Sequence, residues 1–358
     1  MIDHDENLRA LIARHAAFWR REPSDRPLLH VCPGPMVWKP RPWPIAGCRW
    51  AAEPLRIEPT DVDLDRMVTV QGGGELTRGD LFNTVAPAYP QAWMGALIGC
   101  PVFVSSHGCV ARPTGEDLDT VLARFNVEEA LASPWLAVMD RMLARAAEIS
   151  GGRFAVEQLH LRGVVDMLAA ILGEVEFCVL LMDRPDDMRE LADRFADLII
   201  AVARRGIDLR GPWNGGYLTR WSIFAPGPMH DYQVDASTIL SPKLYESVLL
   251  EFDRKVLSAF EYSLAHLHAG GLHIVEPMSR IPELDAFEIN LDRETGVWEK
   301  ERMLEISKAI QSAGKGLLLW GEFTQEELDE FQEALDPAGL AILCWLVEQA
   351  RPSRSPAR

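Results

Sequence analysis

From about residue 115 to residue 345 the chain alternates short apolar runs with amphipathic stretches, and that texture admits few folds besides a parallel sheet covered by helices. The periodicity predicts a helix near 127–149 closed by Gly151-Gly152, a strand near 154–159, and helices near 163–182 and 185–208. A strand near 216–222, a helix from Ser241-Pro242 to about 260 and a strand over 262–268 follow. Next come a strand near 287–291, a helix near 297–313, a strand near 316–320, a helix from Thr324 to about 335, and a last strand near 340–344. Over the final hundred residues the unit recurs about every 25–30 positions, which suits a closed βα barrel.

The N-terminal third reads differently. An amphipathic helix opens the chain, and Arg26 to Cys32 reads as a buried strand stopped by Pro33-Gly34-Pro35. Residues 35–115 are rich in Pro, Gly and Trp and read as irregular insertions with short strands. Residues 349–358 carry the composition of a disordered tail. No linker interrupts the alternation, so residues 1–348 are expected to form one domain.

Bulk properties exclude several functions. With 358 residues and 48% hydrophobic content the chain can bury a core without a disulfide or structural metal. A formal charge of −17 with no basic cluster disfavours nucleic acid and anionic membranes as partners. No apolar run approaches the ~20 residues that span a bilayer. Cys32, Cys48, Cys100, Cys109, Cys178 and Cys344 form no CxxC pair, as expected of reduced thiols in a cytoplasm. The opening helix has no signal-peptide character, which supports the same location.

Residues two apart on a strand face the same side, so His266 and His268 present both imidazoles together, a geometry suited to a metal ion. A pair of histidines satisfied by backbone groups is the competing reading. Arg162 ends a strand that also carries His160, and its guanidinium suits bidentate capture of a substrate carboxylate or an ion pair with a nearby acid. Trp320 and Glu322 lie at another strand end, where Glu322 is a candidate general acid or a helix cap. Tyr89, Trp93, Trp38 and Trp43 are candidates for an aromatic lid, or else core plugs.

Several segments, in order, resemble the uroporphyrinogen decarboxylase superfamily, particularly its corrinoid-linked methyltransferase branch. Phe18-Trp19-Arg20-Arg21-Glu22-Pro23-Ser24-Asp25-Arg26-Pro27 resembles the opening helix and its "DRP" end. Leu161-Arg162-Gly163-Val164-Val165-Asp166-Met167 is similar to a "GP-D" turn, and Asp183-Arg184-Pro185-Asp186 to a "D-x-P-E" helix start. Asp235-Ala236-Ser237-Thr238-Ile239-Leu240-Ser241-Pro242-Lys243-Leu244-Tyr245 resembles "D-S…SP-x-x-Y/F", the most specific of the set. Ala265-His266-Leu267-His268-Ala269-Gly270-Gly271 resembles the "H-x-C-G" or "H-x-D-G" turn.

The resemblance implies a (β/α)8 TIM barrel with its reaction centre at the C-terminal mouth, and often a homodimer. It implies a metal set of His266, His268 and Cys344, with Asp292 or Asn290 as fourth ligand, for zinc that keeps a thiol-type acceptor ionised. It also implies a catalytic role for Asp235 and a methyl donor carried as a corrinoid on a separate protein. The family's arginine-rich loop is replaced here by Pro33-Gly34-Pro35-Met36-Val37-Trp38-Lys39, and its acidic "S-D-I" segment by Ala86-Pro87-Ala88-Tyr89-Pro90-Gln91-Ala92-Trp93, which argues against porphyrinogen decarboxylation. The expected activity is methyl or one-carbon transfer to a small-molecule acceptor. The alternative is a metal-free lyase, a decarboxylase in which Asp235 and Arg162 orient a carboxylated substrate and His268 moves a proton.

Overall fold

The computed structural model describes residues 4–36, 54–87, 92–105, 108–293 and 298–348. Tyr89, Trp38, Trp43 and the tail 349–358 lie outside the described residues. The strands that build the site are β1 (Leu28–Pro33), β2 (Thr84–Pro87), β3 (Ala155–Val156), β4 (Met229–Gln233), β5 (Tyr262–His268), β6 (Ala286–Asn290), β7 (Gly316–Phe323) and β8 (Leu340–Leu346). A six-stranded parallel sheet has the order β1-β8-β7-β6-β5-β4. β2 and β3 pair in parallel in a separate sheet, where Val68–Val70 runs antiparallel to β2.

A closed eight-stranded barrel was expected. Among the described residues no ladder closes the sheet on itself, and other hydrogen bonds occupy the two seams. Beyond β3, the Gln158 side chain donates to the Asp231 carbonyl and accepts from the Asp231 amide, both at 3.1 Å. Beside β1, Asp80 N donates to Leu29 O at 2.9 Å and Leu29 N to the Asp80 carboxylate at 3.1 Å. These contacts satisfy strand backbone without a continuous ladder.

The sheet's two faces follow strand alternation. Leu267, Ile289, Leu319, Ile342 and Cys344 pack into the main core, against the helices. Leu264, Leu318, Ala341 and Leu343 turn the other way, toward Leu28, Met229 and Trp221. Each fully buried Leu or Ile on these strands contributes about 1.5–3 kcal/mol relative to exposure.

The helices start and stop for local reasons. The helix Pro185–Arg210 has proline and Asp186 and Asp187 in its first turn, where free amides and the dipole favour them. Thr324 caps Gln325–Ala334 through a capping box with Glu327. The predicted single helix near 163–182 is two, Val164–Leu172 and Glu174–Asp183, because Gly173 breaks it at φ 87°. Gly163 lets the first of these approach β4 closely: a Cβ there would stand 1.8 Å from Gln233 O.

The expected strand near 216–222 is instead a hairpin, Tyr217–Leu218 against Phe224–Ala225. Trp19 Nε1 donates to Phe224 O and Phe224 N to His15 Nδ1, tying the hairpin to the N-terminal helix His4–Arg20. The true sheet strand, β4, follows it. Its sequence Met-His-Asp-Tyr-Gln lacks apolar alternation because its polar side chains are all buried with partners or neighbours inside the protein.

Candidate metal centre

β5 ends at His268, and its alternation carries His266 and His268 on the face opposite Leu267. Register fixes their neighbours: His266 stands level with Gln233 and Glu288, and His268 with Asn290. Asn290 stands level with Trp320, and Trp320 with Leu343. The third contributor, Asp235, opens a 3-10 turn (Asp235–Ile239) just beyond β4. Asp166 holds that turn, accepting from Ala236 N at 2.7 Å and from Gly163 N at 3.4 Å.

Three donor atoms converge. His266 Nε2 and His268 Nε2 are 3.2 Å apart, and Asp235 Oδ1 lies 3.8 Å from the first and 3.7 Å from the second. Two donors bound to one tetrahedral zinc ion at about 2.1 Å stand about 3.4 Å apart, so the spacing fits a shared cation. Among the described residues these three form a group able to hold a metal ion.

Each imidazole is also held from behind. His266 Nδ1 bonds the Glu288 carboxylate, and His268 Nδ1 bonds Asp292 Oδ2 at 2.7 Å. Asp292 Oδ2 also accepts from Ala269 N at 3.1 Å. Carboxylates behind both rings hold each Nδ1 and turn each Nε2 toward the shared point, the usual support of metal-bound histidine. Asp292 reaches His268 from a left-handed backbone, φ 42°, a conformation a non-glycine residue keeps only when its surroundings enforce it.

The electrostatics are divided. Burial pushes His266 down to about 3, keeping it neutral and available as a ligand. Burial also pulls on His268, but the Asp292 hydrogen bond and the Asp292 and Asp235 charges outweigh it and raise His268 to about 9. Burial raises Glu288 well above the usual carboxylate range, and Asp166, with Asp235 close by, rises to about 6. Glu288 Oε1 is fully buried without a hydrogen-bond donor among the described residues.

The expected ligand set is therefore revised. Cys344 stands level with Gly321 and Val31, one residue out of phase with the cavity face, and packs in the core with the helices. Burial raises its thiol to about 12, the state of an inert packing cysteine. Asp292 backs His268, and Asn290 Oδ1 accepts from Asp292 N at 3.1 Å. Asp235 Oδ1, not the Cys344 thiol, is the third atom beside the two Nε2 atoms.

The other sequence candidates divide as well. His160 contacts Gln233 beside His266. Arg162 lines a groove of about 630 Å³ with Asp166 and Asp235. Trp320 lies on the cavity face, edge-on to Trp345 at 5.7 Å. Glu322 is 4% exposed and accepts from Met36 N at 2.8 Å, while Thr324 is the helix cap. Trp93 is 1% exposed and packs on Trp135 in the core, so it offers no surface to a substrate.

Sequence reasoning missed Glu288, Asp166, Arg220 and Trp221. For Glu288 a signal existed: it sits two residues before Asn290 on a strand otherwise buried and apolar, where a carboxylate needs a partner. Trp221 stacks on His266, with ring centroids 5.1 Å apart and planes 24° apart.

No protein-family model and no curated protein matches this chain in sequence. Its fold is similar to that of a methyltransferase from Methanosarcina mazei, with a TM-score of 0.60 over 95% of this chain and 94% of that one, at 14% identity. A likeness at that identity establishes the shared fold. Among the described residues no helix is long and apolar enough to cross a membrane.

Proposed function

We propose that this chain is a methyl or other one-carbon transferase of the uroporphyrinogen decarboxylase superfamily, with a divalent metal, zinc first among candidates, held by His266, His268 and Asp235. The observation that carries the reading is the convergence of three donors whose two imidazoles are each backed by a carboxylate. The M. mazei methyltransferase adds support through fold. On this reading β1 to β8 form one barrel domain, its two seams spanned by Gln158 and Asp80.

When bound, the metal supplies Lewis acidity that lowers the pKa of a thiol-type acceptor. The remaining work belongs to the chain. Glu288 and Asp292 hold the imidazole tautomers, and Asp166 holds the turn that aims Asp235. Arg162, at the groove beside Asp235, orients the acceptor at the mouth. The methyl donor is a corrinoid on a separate protein, approaching the same mouth.

Protein purified without chelator is expected to hold one equivalent of zinc, and His268→Ala and Asp235→Ala to lose it. The wild-type protein is expected to consume methylcobalamin in the presence of a small thiol. Full zinc content in both variants would overturn the metal assignment.

One observation favours a second reading, a metal-free lyase: Arg162 and Asp235 line the same groove and suit a carboxylated substrate. Turnover of such a substrate that survives exhaustive chelation and fails in Arg162→Ala would establish it in place of the first.

A further inference from the structure

The groove beside Asp235 changes character along its length. Asp166, Ala169, Ala170 and Gly173 line it at helical spacing from the helix Val164–Leu172, with Arg162 just before the first turn. The hairpin of Val102–Ser105 and Gly108–Ala111 contributes Val110 and Ala111, and the turn Asp235–Ile239 contributes Thr238 and Ile239. From Asp166 to Gly173 the helix rises about 10 Å, at 1.5 Å per residue. Arg162, Asp166 and Asp235 gather at its start, and beyond Ala169 the lining turns small and apolar as far as Val175, where Glu174 is exposed to solvent.

At the polar end the acids are already engaged and the base is not. Asp166 accepts from Ala236 N through one oxygen and from Gly163 N through the other, and Asp235 Oδ1 stands beside the two imidazoles. Among the described residues Arg162 makes one long contact, Nη1 to Asp166 O at 3.5 Å, and its Nε is buried without an acceptor. A guanidinium carries five donors in a planar fork, so this one is open to a carboxylate. At the other end apolar side chains stand in water: Val175 is 80% exposed, Val110 50% and Ile239 43%. Such residues scattered singly are ordinary, whereas three lining one groove mark apolar surface that is covered on binding. The volume of about 630 Å³ is that of a small-molecule site.

We infer that the groove binds an amphipathic carboxylate of medium chain length, its head on Arg162 and its tail running past Ala169 and Ala170 toward Val175. The inference deepens the proposed function by naming the substrate class, and rests on that reading only in calling this ligand the substrate, since binding in the groove needs no metal. The head is admitted to a chain of charge −17 because the guanidinium stands where the head lies. The rival role for Arg162 is an ion pair with Asp166 that steadies the turn, which would affect stability and leave ligand preference alone.

The test is calorimetric titration with octanoate, butyrate and 1-octanol, on protein with zinc and on protein after chelation. Octanoate is expected to bind at least about tenfold more tightly than butyrate, since each buried methylene is worth roughly threefold to fourfold. It is also expected to bind at least about tenfold more tightly than 1-octanol, which has the tail without the charge. Arg162→Gln is expected to erase the preference for the carboxylate head and keep that for the longer tail. Val110→Ser with Val175→Ser, at exposed positions, is expected to do the reverse. Absence of octanoate binding, equal affinity for octanoate and butyrate, or a head preference that survives Arg162→Gln overturns the inference. Zinc content is measured in the same samples, and protein that binds octanoate yet holds no zinc counts against the metal assignment while supporting the groove.

Discussion

Two carboxylate clusters lie buried on opposite sides of β4 and β5, and they differ in how far their polar atoms are satisfied. On the helix side, the hydroxyls of Tyr232 and Tyr245 bond the two oxygens of Asp253, and Tyr232 also accepts from Val164 N at 2.9 Å. On the other side, Glu288 meets His266 through one oxygen and leaves the other without a donor among the described residues, and two Nε2 atoms face each other across 3.2 Å. The first network is closed and fixes the helix Val164–Leu172 against the sheet. The second is open, and an open buried network is where binding capacity resides.

The comparison can be broken most directly at Asp253. Asp253→Ala leaves two buried hydroxyl protons without their carboxylate acceptor, Tyr232 keeping only the bond it accepts from Val164 N, so stability is expected to fall by about 3 kcal/mol or more in urea unfolding. Zinc affinity should be unchanged. A loss of zinc with stability intact would mean that the closed cluster is part of the site.

The closed cluster also carries a pH signature. Burial raises Asp253 to about 7 in the fold, above its ordinary value, so between the two pKa values the native state holds a proton that the unfolded chain has released. The associated stability is fully present near pH 4 and is lost as pH rises through 7. Asp253→Asn cannot ionise, so the stability advantage of the wild-type protein over this variant should shrink by on the order of 4 kcal/mol between pH 4 and pH 7.5. Parallel profiles for the two proteins would show that Asp253 is ionised throughout.

At the open cluster, Glu288→Gln and Asp292→Asn should each weaken zinc binding about 10–100-fold, or about 1.4–2.8 kcal/mol, by competition with a chromophoric chelator. The metal-free fold should lose little stability in Glu288→Gln, since Oε1 has no donor among the described residues. Equal zinc affinity in both variants would reduce the two carboxylates to packing. The smallest effect is expected at Cys344: Cys344→Ala should cost about 1 kcal/mol of stability, as a small core truncation does, and leave zinc unchanged. Loss of zinc in this variant would restore the thiolate as a ligand.

Much of the sheet was legible in the sequence. β5 was expected over the residues it occupies, β6 to β8 within a few, and the helix Pro185–Arg210 began at its proline. These segments share strong apolar periodicity and explicit caps. The polar strand β4 escaped notice because Asp231 and Gln233 face other polar groups inside the protein, erasing the alternation that marks a strand with one wet face. The periodicity near 163–182 does not reveal the break between its two helices, because a single glycine does not announce its dihedral angle.

The sequence by itself settled that His266 and His268 share a side, since a period of two is a property of any strand. It also settled where the helices at Pro185, Pro242 and Gln325 begin, since capping is local chemistry, but not the separate starts at Leu250 and Val275. Only the tertiary structure decided what those histidines meet. Inter-strand register put Glu288 behind His266, the turn after β4 delivered Asp235, and a hairpin remote in sequence brought Trp221 and Arg220. Cys344 fell on the opposite face because the phase of one strand relative to another depends on hydrogen-bond register, which no spacing between residues encodes.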